Sequence, residues 1–187
     1  GFLKDSNQQG FLLPKSKENI AYNIKNNIVL GVFHNGVLIA EGTIKKLKSD
    51  DSKGSSSDSD IPNMCINNVK NEDICLVGSL CVSPEFQGLG LGKLVRTELL
   101  ELNQDKVIVS QIAINNKKSV GNCLGTGAYL MQQTFDPFDN ENVYYLIKSN
   151  KKFNMDDKVI TIPFENKVEI VKALNKGYVG IELHGDY

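Results

Sequence analysis

Arginine is almost missing from this chain of 187 residues. Among its 21 basic residues only Arg96 is an arginine, and the others are lysines. The net charge is −1, so no basic excess favours non-specific binding to nucleic acid. The shortage of arginine also leaves little of the bidentate guanidinium chemistry that holds phosphates and carboxylates. A nucleic-acid partner is therefore not expected.

Metal-ligand patterns and long apolar runs are missing as well. The four cysteines form no C-x-x-C pair, and the two histidines lie far apart in the sequence. We therefore expect no metal site, and we expect Cys75 and Cys81 to be buried reduced thiols. No apolar run approaches the length that spans a membrane, and no signal peptide is visible. These absences predict a cytoplasmic protein without a membrane partner.

The remaining composition is typical of a soluble globular domain. Hydrophobic residues make up 41% of the chain and charged residues 23%, and 187 residues are enough to bury a core. Residues 49–60 read SDDSKGSSSDSD, an acidic stretch of low complexity, so we expect a mobile loop there. We divide the chain into a domain at residues 1–149 and a C-terminal extension at residues 150–187.

The stretch LCVSPEFQGLGLGKL, from Leu80 to Leu94, organises the sequence. A predicted strand ends at Val82, a Ser-Pro turn follows, and alternating glycines lead into a helix. Backbone N–H groups at such a helix N-terminus, with the helix dipole behind them, suit a phosphate or pyrophosphate. Glycine allows the close approach because it has no Cβ. The apolar residues of the helix recur with a period close to 3.6 and are Leu91, Leu94, Val95, Leu99 and Leu102.

Spacing distinguishes three phosphate-binding motifs. A P-loop needs four residues between its first glycine and the Gly-Lys pair, but Gly88 and Gly92 have three between them. A dinucleotide fingerprint needs G-x-G-x-x-G, whereas Gly88, Gly90 and Gly92 form G-x-G-x-G. The pattern that fits is Q-x-x-G-x-G, formed by Gln87, Gly90 and Gly92.

Together with the strand before it and the amphipathic helix after it, this pattern closely resembles the acyl-CoA-binding signature of the GCN5-related N-acetyltransferases. The resemblance implies acetyl-CoA, or another acyl-CoA, as the cofactor. It implies that the strand before the loop contacts the pantetheine arm, that the loop holds the pyrophosphate, and that an asparagine lies beside the cofactor. The residues at these positions are Leu80, Cys81, Val82, Gln87, Gly88, Leu89, Gly90, Leu91, Gly92, Lys93 and Asn116. Asn116 could equally be the N-cap of the next helix.

The order of the predicted elements is also similar to that family over about residues 16–149. We predict a helix from Ser16 to about Asn26 and a hairpin around Asn35-Gly36. Two apolar strands, Ile74–Val82 and Val107–Ile114, are joined by a helix and are therefore predicted to be parallel. The predicted fold is α/β, with a mixed, mostly antiparallel central sheet, a splayed parallel strand pair and flanking helices.

The C-terminal extension has a pattern of its own. Residues 158–185 read as a strand (KVITIPF), a helix (ENKVEIVKALNKG) and a second strand (YVGIELH). We expect this segment to pack on the same sheet, because its apolar residues need to be covered.

The catalytic residues implied by the resemblance are incomplete. In that family an amine attacks the thioester directly, and a tyrosine seven residues after the helix-leading asparagine commonly protonates the departing thiolate. Counting from Asn116, this position is Cys123, whose thiol could be the acid or a small core residue. Tyr129 is the second candidate for the acid. The candidates for the base that deprotonates the amine are Asp73, Glu72 and Glu41, each of which could also be an ordinary surface carboxylate.

Two functions of different classes follow from these residues. The first is an N-acetyltransferase that transfers an acetyl group from acetyl-CoA to a primary amine of a small molecule, peptide or protein. The alternative is a catalytically degenerate acyl-CoA-binding or interaction module of a larger protein. A third hypothesis is a nucleotide-binding domain that uses the same loop. For each of these functions, the sequence leaves open whether the chain forms a homodimer.

Overall fold

The computed structural model describes residues 16–47, 69–137, 140–150 and 158–184. The predicted mobile loop at residues 49–60 lies outside the described residues. The strands of the described chain are β1 (Ile28–His34), β2 (Val37–Lys46), β3 (Ile74–Val82), β4 (Val107–Ala113), β5 (Tyr129–Asp136) and β6 (Glu141–Lys148). The helices are α1 (Lys17–Asn26), α2 (Leu91–Glu101), α3 (Lys117–Leu124) and α4 (Lys167–Asn175). None of these described helices is long and apolar enough to cross a membrane.

The six strands form one sheet in the order β1-β2-β3-β4-β6-β5. Every neighbouring pair is antiparallel except β3 and β4, which are parallel. This confirms the predicted mixed, mostly antiparallel α/β fold.

The N-terminal elements form where the local signals predict them. The Ser16 hydroxyl caps α1 by accepting a hydrogen bond from the N–H of Asn19 at 3.2 Å. Asn35 and Gly36, with φ of 49° and 76°, make the two-residue turn between β1 and β2. Positive φ at both positions is what a type I′ turn requires, and its twist matches that of the flanking strands. The predicted helix and hairpin are confirmed.

The parallel strands β3 and β4 separate soon after they begin. Their pairing is limited to Ile74 with Val107, Cys75 with Ile108 and Leu76 with Val109. Strand β3 then continues to Val82 and β4 to Ala113, but the two strands no longer pair with each other. The predicted splay is confirmed, and it leaves the edge of β3 that faces β4 unpaired from residue 77 onwards.

A bulge at Gly78 exchanges the two faces of the sheet on which alternate side chains of β3 lie. The β2–β3 register passes from Ile44 opposite Val77 to Thr43 opposite Ser79, which leaves Gly78 unpaired. After the bulge, Leu80 packs on the side of α2. The side chains of Ser79 and Cys81 then lie on the opposite face of the sheet.

Helix α2 packs on the sheet with a narrower apolar face than its sequence suggests. Val95 and Leu99 are each 2% exposed, whereas Leu94 and Leu102 are 49% and 58% exposed. Arg96, which a helical pattern would leave at the surface, is only 4% exposed. Gly42 of β2 permits this packing, because a Cβ there would lie 2.5 Å from the side chain of Val95.

The C-terminal segment contains the predicted helix, α4, but the two predicted strands are wrong. Residues 158–164 form no strand, and residues 178–184 form one isolated β-bridge to the sheet, between Gly180 and Leu130 of the edge strand β5. The chain crosses β5 there at close range, since a Cβ on Gly180 would lie 2.8 Å from that of Leu130. Apolar side chains of the segment cover the cluster of α3, β5 and β6 instead of extending the sheet, namely Phe164, Ile170, Leu174 and Leu183.

Lys167 at the start of α4 is held among aromatic rings. Its Nζ lies 3.2 Å from the centroid of the Phe164 ring and 5.8 Å from that of Tyr144. Among the described residues this buried nitrogen has no hydrogen-bond partner. Burial lowers the pKa of Lys167 to about 8, while the charge of Glu165 raises it and that of Lys117 lowers it further.

This shift predicts a stability that rises with pH between about 8 and the ordinary lysine pKa of about 10.4. In that range the unfolded lysine is protonated and the folded one is not, so the unfolded state binds more protons. Other buried groups titrate too, so the effect is measured as the difference between the wild type and Lys167→Met in urea unfolding at pH 7 and 9.5. The same comparison with Lys172→Met, an exposed lysine of the same helix, is the control. A stability difference between wild type and Lys167→Met that is the same at both pH values would contradict the lowered pKa of Lys167.

Candidate functional site

The glycine loop, from Gln87 to Lys93, follows β3 and leads into α2. Gly88 and Gly90 have φ of 81° and 78°, a region that disfavours residues with a side chain. A Cβ at either position would meet no atom within 4 Å, so the loop has open space beside it. Gly90 is the N-cap of α2, and no side chain caps the helix. The N–H groups of its first turn are therefore without intrahelical acceptors, and the positive end of the helix dipole lies behind them.

Gln87 fastens this loop to the strand before it. Its Nε2 donates a hydrogen bond to the carbonyl oxygen of Val82 at 3.2 Å. The side chain therefore braces the turn between β3 and α2. Of the other loop residues, Leu89 is 68% exposed at the tip, and Lys93 is exposed in the first turn of the helix.

A cleft of about 100 Å³ occupies the gap between the parted strands. Its walls come from the second halves of β3 and β4, from α2 and from the start of α3. The lining residues are Val77, Gly78, Ser79, Leu80, Arg96, Ser110, Gln111, Ile112, Ala113, Asn116, Ser119 and Asn122. Asn122 also approaches Gly92 of the loop, since a Cβ on that glycine would lie 3.6 Å from its Nδ2. Loop and cleft are thus neighbouring parts of one site.

Asn116 is the N-cap of α3 and also lines the cleft. Its Oδ1 accepts a hydrogen bond from the N–H of Ser119 at 3.1 Å and so caps the helix. The same residue lies in the lining of the cleft, as does Leu80. Of the predicted binding residues outside the loop, Leu80 and Asn116 are therefore the two that line the cleft.

A larger cavity, of about 270 Å³, lies at the far end of α2 between Leu100, Asn103 and Lys148. Lys93 is the one residue of the glycine loop in its lining. We place the site at the smaller cleft, because that cleft contains the unpaired strand edges and lies beside the open glycines.

Cys123, the first predicted catalytic residue, is not on the wall of the cleft. Its side chain is 1% exposed in the cluster beneath α3. Burial raises the pKa of the thiol, while the charge of Arg96 and a hydrogen bond with Ser110 lower it to a smaller extent. The arrangement is that of a buried core thiol.

The structure does not bring Tyr129 or Asp73 to the cleft either. Tyr129 begins β5, and β6 lies between that strand and β4, so the strand axes are roughly 10 Å apart at about 4.8 Å per strand. Asp73 precedes β3 and lies roughly 30 Å from Val82 at about 3.3 Å per residue. Its carboxylate pairs instead with the Nζ of Lys106 at 3.1 Å.

Of the three carboxylates that the sequence offers as the base, Glu41 is the one that the structure places beside the cleft. It lies opposite Cys81 in the β2–β3 register, on the sheet face away from α2. Its Oε1 accepts hydrogen bonds from the Ser79 hydroxyl at 3.2 Å and from the Cys81 thiol at 3.8 Å. Ser79, which lines the cleft, also hydrogen-bonds the Thr43 hydroxyl at 3.2 Å. Among the candidate bases, Glu41 therefore has the position closest to the parted strands.

Arg96 is the residue of the cleft that the sequence did not indicate. Its Nε donates to the Thr126 hydroxyl at 2.8 Å and its Nη1 to the Ser110 hydroxyl at 3.2 Å. The available signal was its rarity, since it is the one arginine of the chain. The helical pattern alone gave no reason to place it inside.

Comparison with known proteins gives structural matches. No protein-family model matches the sequence, and no curated protein does. YncA from Salmonella typhimurium, solved with its cofactor acetyl-CoA, has a TM-score of 0.52 at 18% identity, over 76% of this chain and 75% of its own. A GNAT family acetyltransferase from Elizabethkingia anophelis with acetyl-CoA bound has a TM-score of 0.51 at 12% identity, over 72% and 83%. The ribosomal-protein-S18-alanine N-acetyltransferase from Escherichia coli has a TM-score of 0.50 at 14% identity, over 80% and 88%.

At these identities the likeness establishes the fold. It agrees with the mixed sheet, the single parallel pair and the splay described above. The chain has the acyl-CoA N-acyltransferase fold, which is the fold of the GCN5-related N-acetyltransferases.

Proposed function

We propose that this chain is an N-acetyltransferase that transfers an acetyl group, or another short acyl group, from acyl-CoA to a primary amine. The observation that carries the proposal is the position of the glycine loop. It stands at the uncapped N-terminus of α2 and at the open end of the gap between β3 and β4. A pyrophosphate held by the loop would direct the attached pantetheine arm into that gap.

The residues of the site fit such a ligand. The open space beside Gly88 and Gly90 leaves the loop N–H groups accessible to phosphate oxygens. A phosphate there would also offset the unfavourable placement of the Lys93 cation in the first turn of a helix. The unpaired edge of β3 from residue 77 to residue 82 offers strand-like hydrogen bonds to the pantetheine amides, with Leu80 and Asn116 on either side.

When bound, acyl-CoA would supply an activated thioester. The amine nitrogen would form the new C–N bond as the C–S bond breaks, and CoA would leave as a thiolate that takes a proton from water, since neither Cys123 nor Tyr129 lines the cleft. The chain must accept the proton that the amine loses. We assign this role to Glu41, because its carboxylate lies beside Ser79 at the parted strands and on the face away from the loop. Asp73, another candidate for the base, is engaged with Lys106 at the other end of β3.

The test of the proposed function is turnover. The purified chain is incubated with acetyl-CoA and a panel of small amines, N-terminal peptides and lysine peptides, and free CoA thiol is measured together with the mass of the acylated amine. Amine-dependent thiol release with an acylated product supports the proposal.

The alternative, an acyl-CoA-binding module without turnover, is favoured by one observation, the burial of Cys123 at the usual tyrosine position. Calorimetry separates the two functions. Binding of acetyl-CoA without release of thiol across the whole panel would favour the module, and absence of binding would contradict both.

Cys123→Ala is expected to leave turnover within about twofold, because the thiol does not reach the cleft. We expect a loss of stability of about 1 kcal/mol, as for a small truncation in a core. The measurements are the thiol-release rate and urea unfolding of the same preparation. A fall in turnover of tenfold or more, with acetyl-CoA affinity unchanged, would instead identify Cys123 as the acid.

A further inference from the structure

The closed end of the cleft contains a buried cation. Arg96 is 4% exposed and projects from α2 to the point where the strands part, since its partner Ser110 directly follows Val109, the last paired residue of β4. The guanidinium has two hydrogen-bond acceptors, the hydroxyls of Ser110 and Thr126. Its Nη2 is buried without a partner among the described residues.

Arg96 forms no ion pair within the part of the chain that the structure describes. Every ion pair found there within 4.0 Å involves a lysine or a histidine and not Arg96. Burying a charge without a counter-charge is costly, and an unused buried donor adds to the cost. An arginine kept in such a place indicates an anion that arrives with a ligand.

Packing alone does not require an arginine at this position. The inward neighbours of Arg96 on α2 are Val95 and Leu99, which pack on the sheet as apolar side chains. A leucine would cover the same surface without desolvating a charge. The cleft offers further polar groups to a ligand, since Ser79, Ser119 and Asn122 join Ser110 in its lining.

We propose that Arg96 binds a carboxylate at the far end of the acyl group, so that the preferred donor is a short dicarboxylic acyl-CoA of the malonyl or succinyl kind. A carboxylate suits a guanidinium that has N–H groups left to donate. The cleft is small, at about 100 Å³, and it receives the pantetheine arm as well, so only a short acyl chain fits beside the guanidinium. This inference rests on the proposed function and narrows its acyl donor.

Binding is measured by calorimetry with the whole chain and four ligands: CoA, acetyl-CoA, butyryl-CoA and succinyl-CoA. Butyryl-CoA is the matched neutral ligand, since it has the same four-carbon backbone without the carboxylate. Wild type is expected to bind succinyl-CoA at least tenfold more tightly than butyryl-CoA. Arg96→Leu is expected to bring the affinities for succinyl-CoA and butyryl-CoA within about twofold of each other, and Arg96→Lys is expected to retain part of the preference.

The remaining outcomes overturn the inference in distinguishable ways. Equal affinity of wild type for succinyl-CoA and butyryl-CoA would contradict it and leave the proposed function standing. An equal loss for all four ligands in a folded Arg96→Leu would show that the guanidinium contacts the shared pantetheine arm instead. Failure of wild type to bind any of the four would contradict the proposed function itself. The wild-type comparison needs no variant, so a variant that fails to fold does not prevent the test.

Discussion

Gly90→Ala is expected to weaken acetyl-CoA binding by about tenfold or more, as measured by calorimetry. Gly90 has a φ of 78°, and an alanine held there costs about 1–2 kcal/mol. The loop can avoid this cost by changing its backbone, but the N–H groups then no longer converge on one phosphate. A tenfold change in affinity corresponds to about 1.4 kcal/mol.

Gly177→Ala is the matched control for this variant. Gly177 follows α4 and has a φ of 87°, and a Cβ added to it, as at Gly90, would meet no atom within 4 Å. Its backbone cost in the folded state is therefore similar, while it lies far from the loop in the sequence. Unchanged affinity in Gly177→Ala and weakened affinity in Gly90→Ala would assign the effect to the loop. If Gly90→Ala and Gly177→Ala bound acetyl-CoA with the same affinity, the phosphate-binding role of Gly90 would be contradicted.

Glu41→Gln is expected to lower turnover by about 10²–10³-fold while acetyl-CoA affinity stays within about twofold of wild type. The amide retains the shape and can still accept a hydrogen bond from the Ser79 hydroxyl, but it cannot take a proton from the amine. The measurements are the thiol-release rate at saturating acetyl-CoA and calorimetry on the same protein.

Asp73→Asn is the comparison that decides between Asp73 and Glu41 as the base. We expect it to retain turnover and to lose a small part of the stability, because it breaks the partly exposed pair with Lys106. A large loss of turnover in Asp73→Asn, with Glu41→Gln close to wild type, would reverse the assignment.

The parts of the fold that sequence reasoning predicted are those set by neighbours in the chain. Ser16 caps its own helix, and Asn35-Gly36 fixes its own turn. The splay followed from the family resemblance. No local signal marks where the pairing of β3 and β4 stops.

Sequence reasoning named Glu41 only as one of three candidate bases and did not indicate Arg96, because both residues are placed by contacts distant in the chain. Glu41 reaches Ser79 through the register between β2 and β3, and the bulge at Gly78 decides which face that serine takes. Arg96 turns inward because hydroxyls from β4 and from the end of α3 accept its N–H groups. The prediction of two strands in residues 158–184 was wrong. The apolar residues of this segment are covered by packing against α3, β5 and β6, and the segment pairs with the sheet at a single bridge.

The most direct test of the acyl-CoA site is a crystal structure of the chain with CoA. We expect pyrophosphate oxygens within about 3.2 Å of backbone N–H groups of residues 88–93 and the pantetheine arm between β3 and β4, beside Leu80 and Asn116. Binding of CoA in the larger cavity beside Leu100 and Lys148, with the glycine loop unoccupied, would contradict the site proposed for this chain.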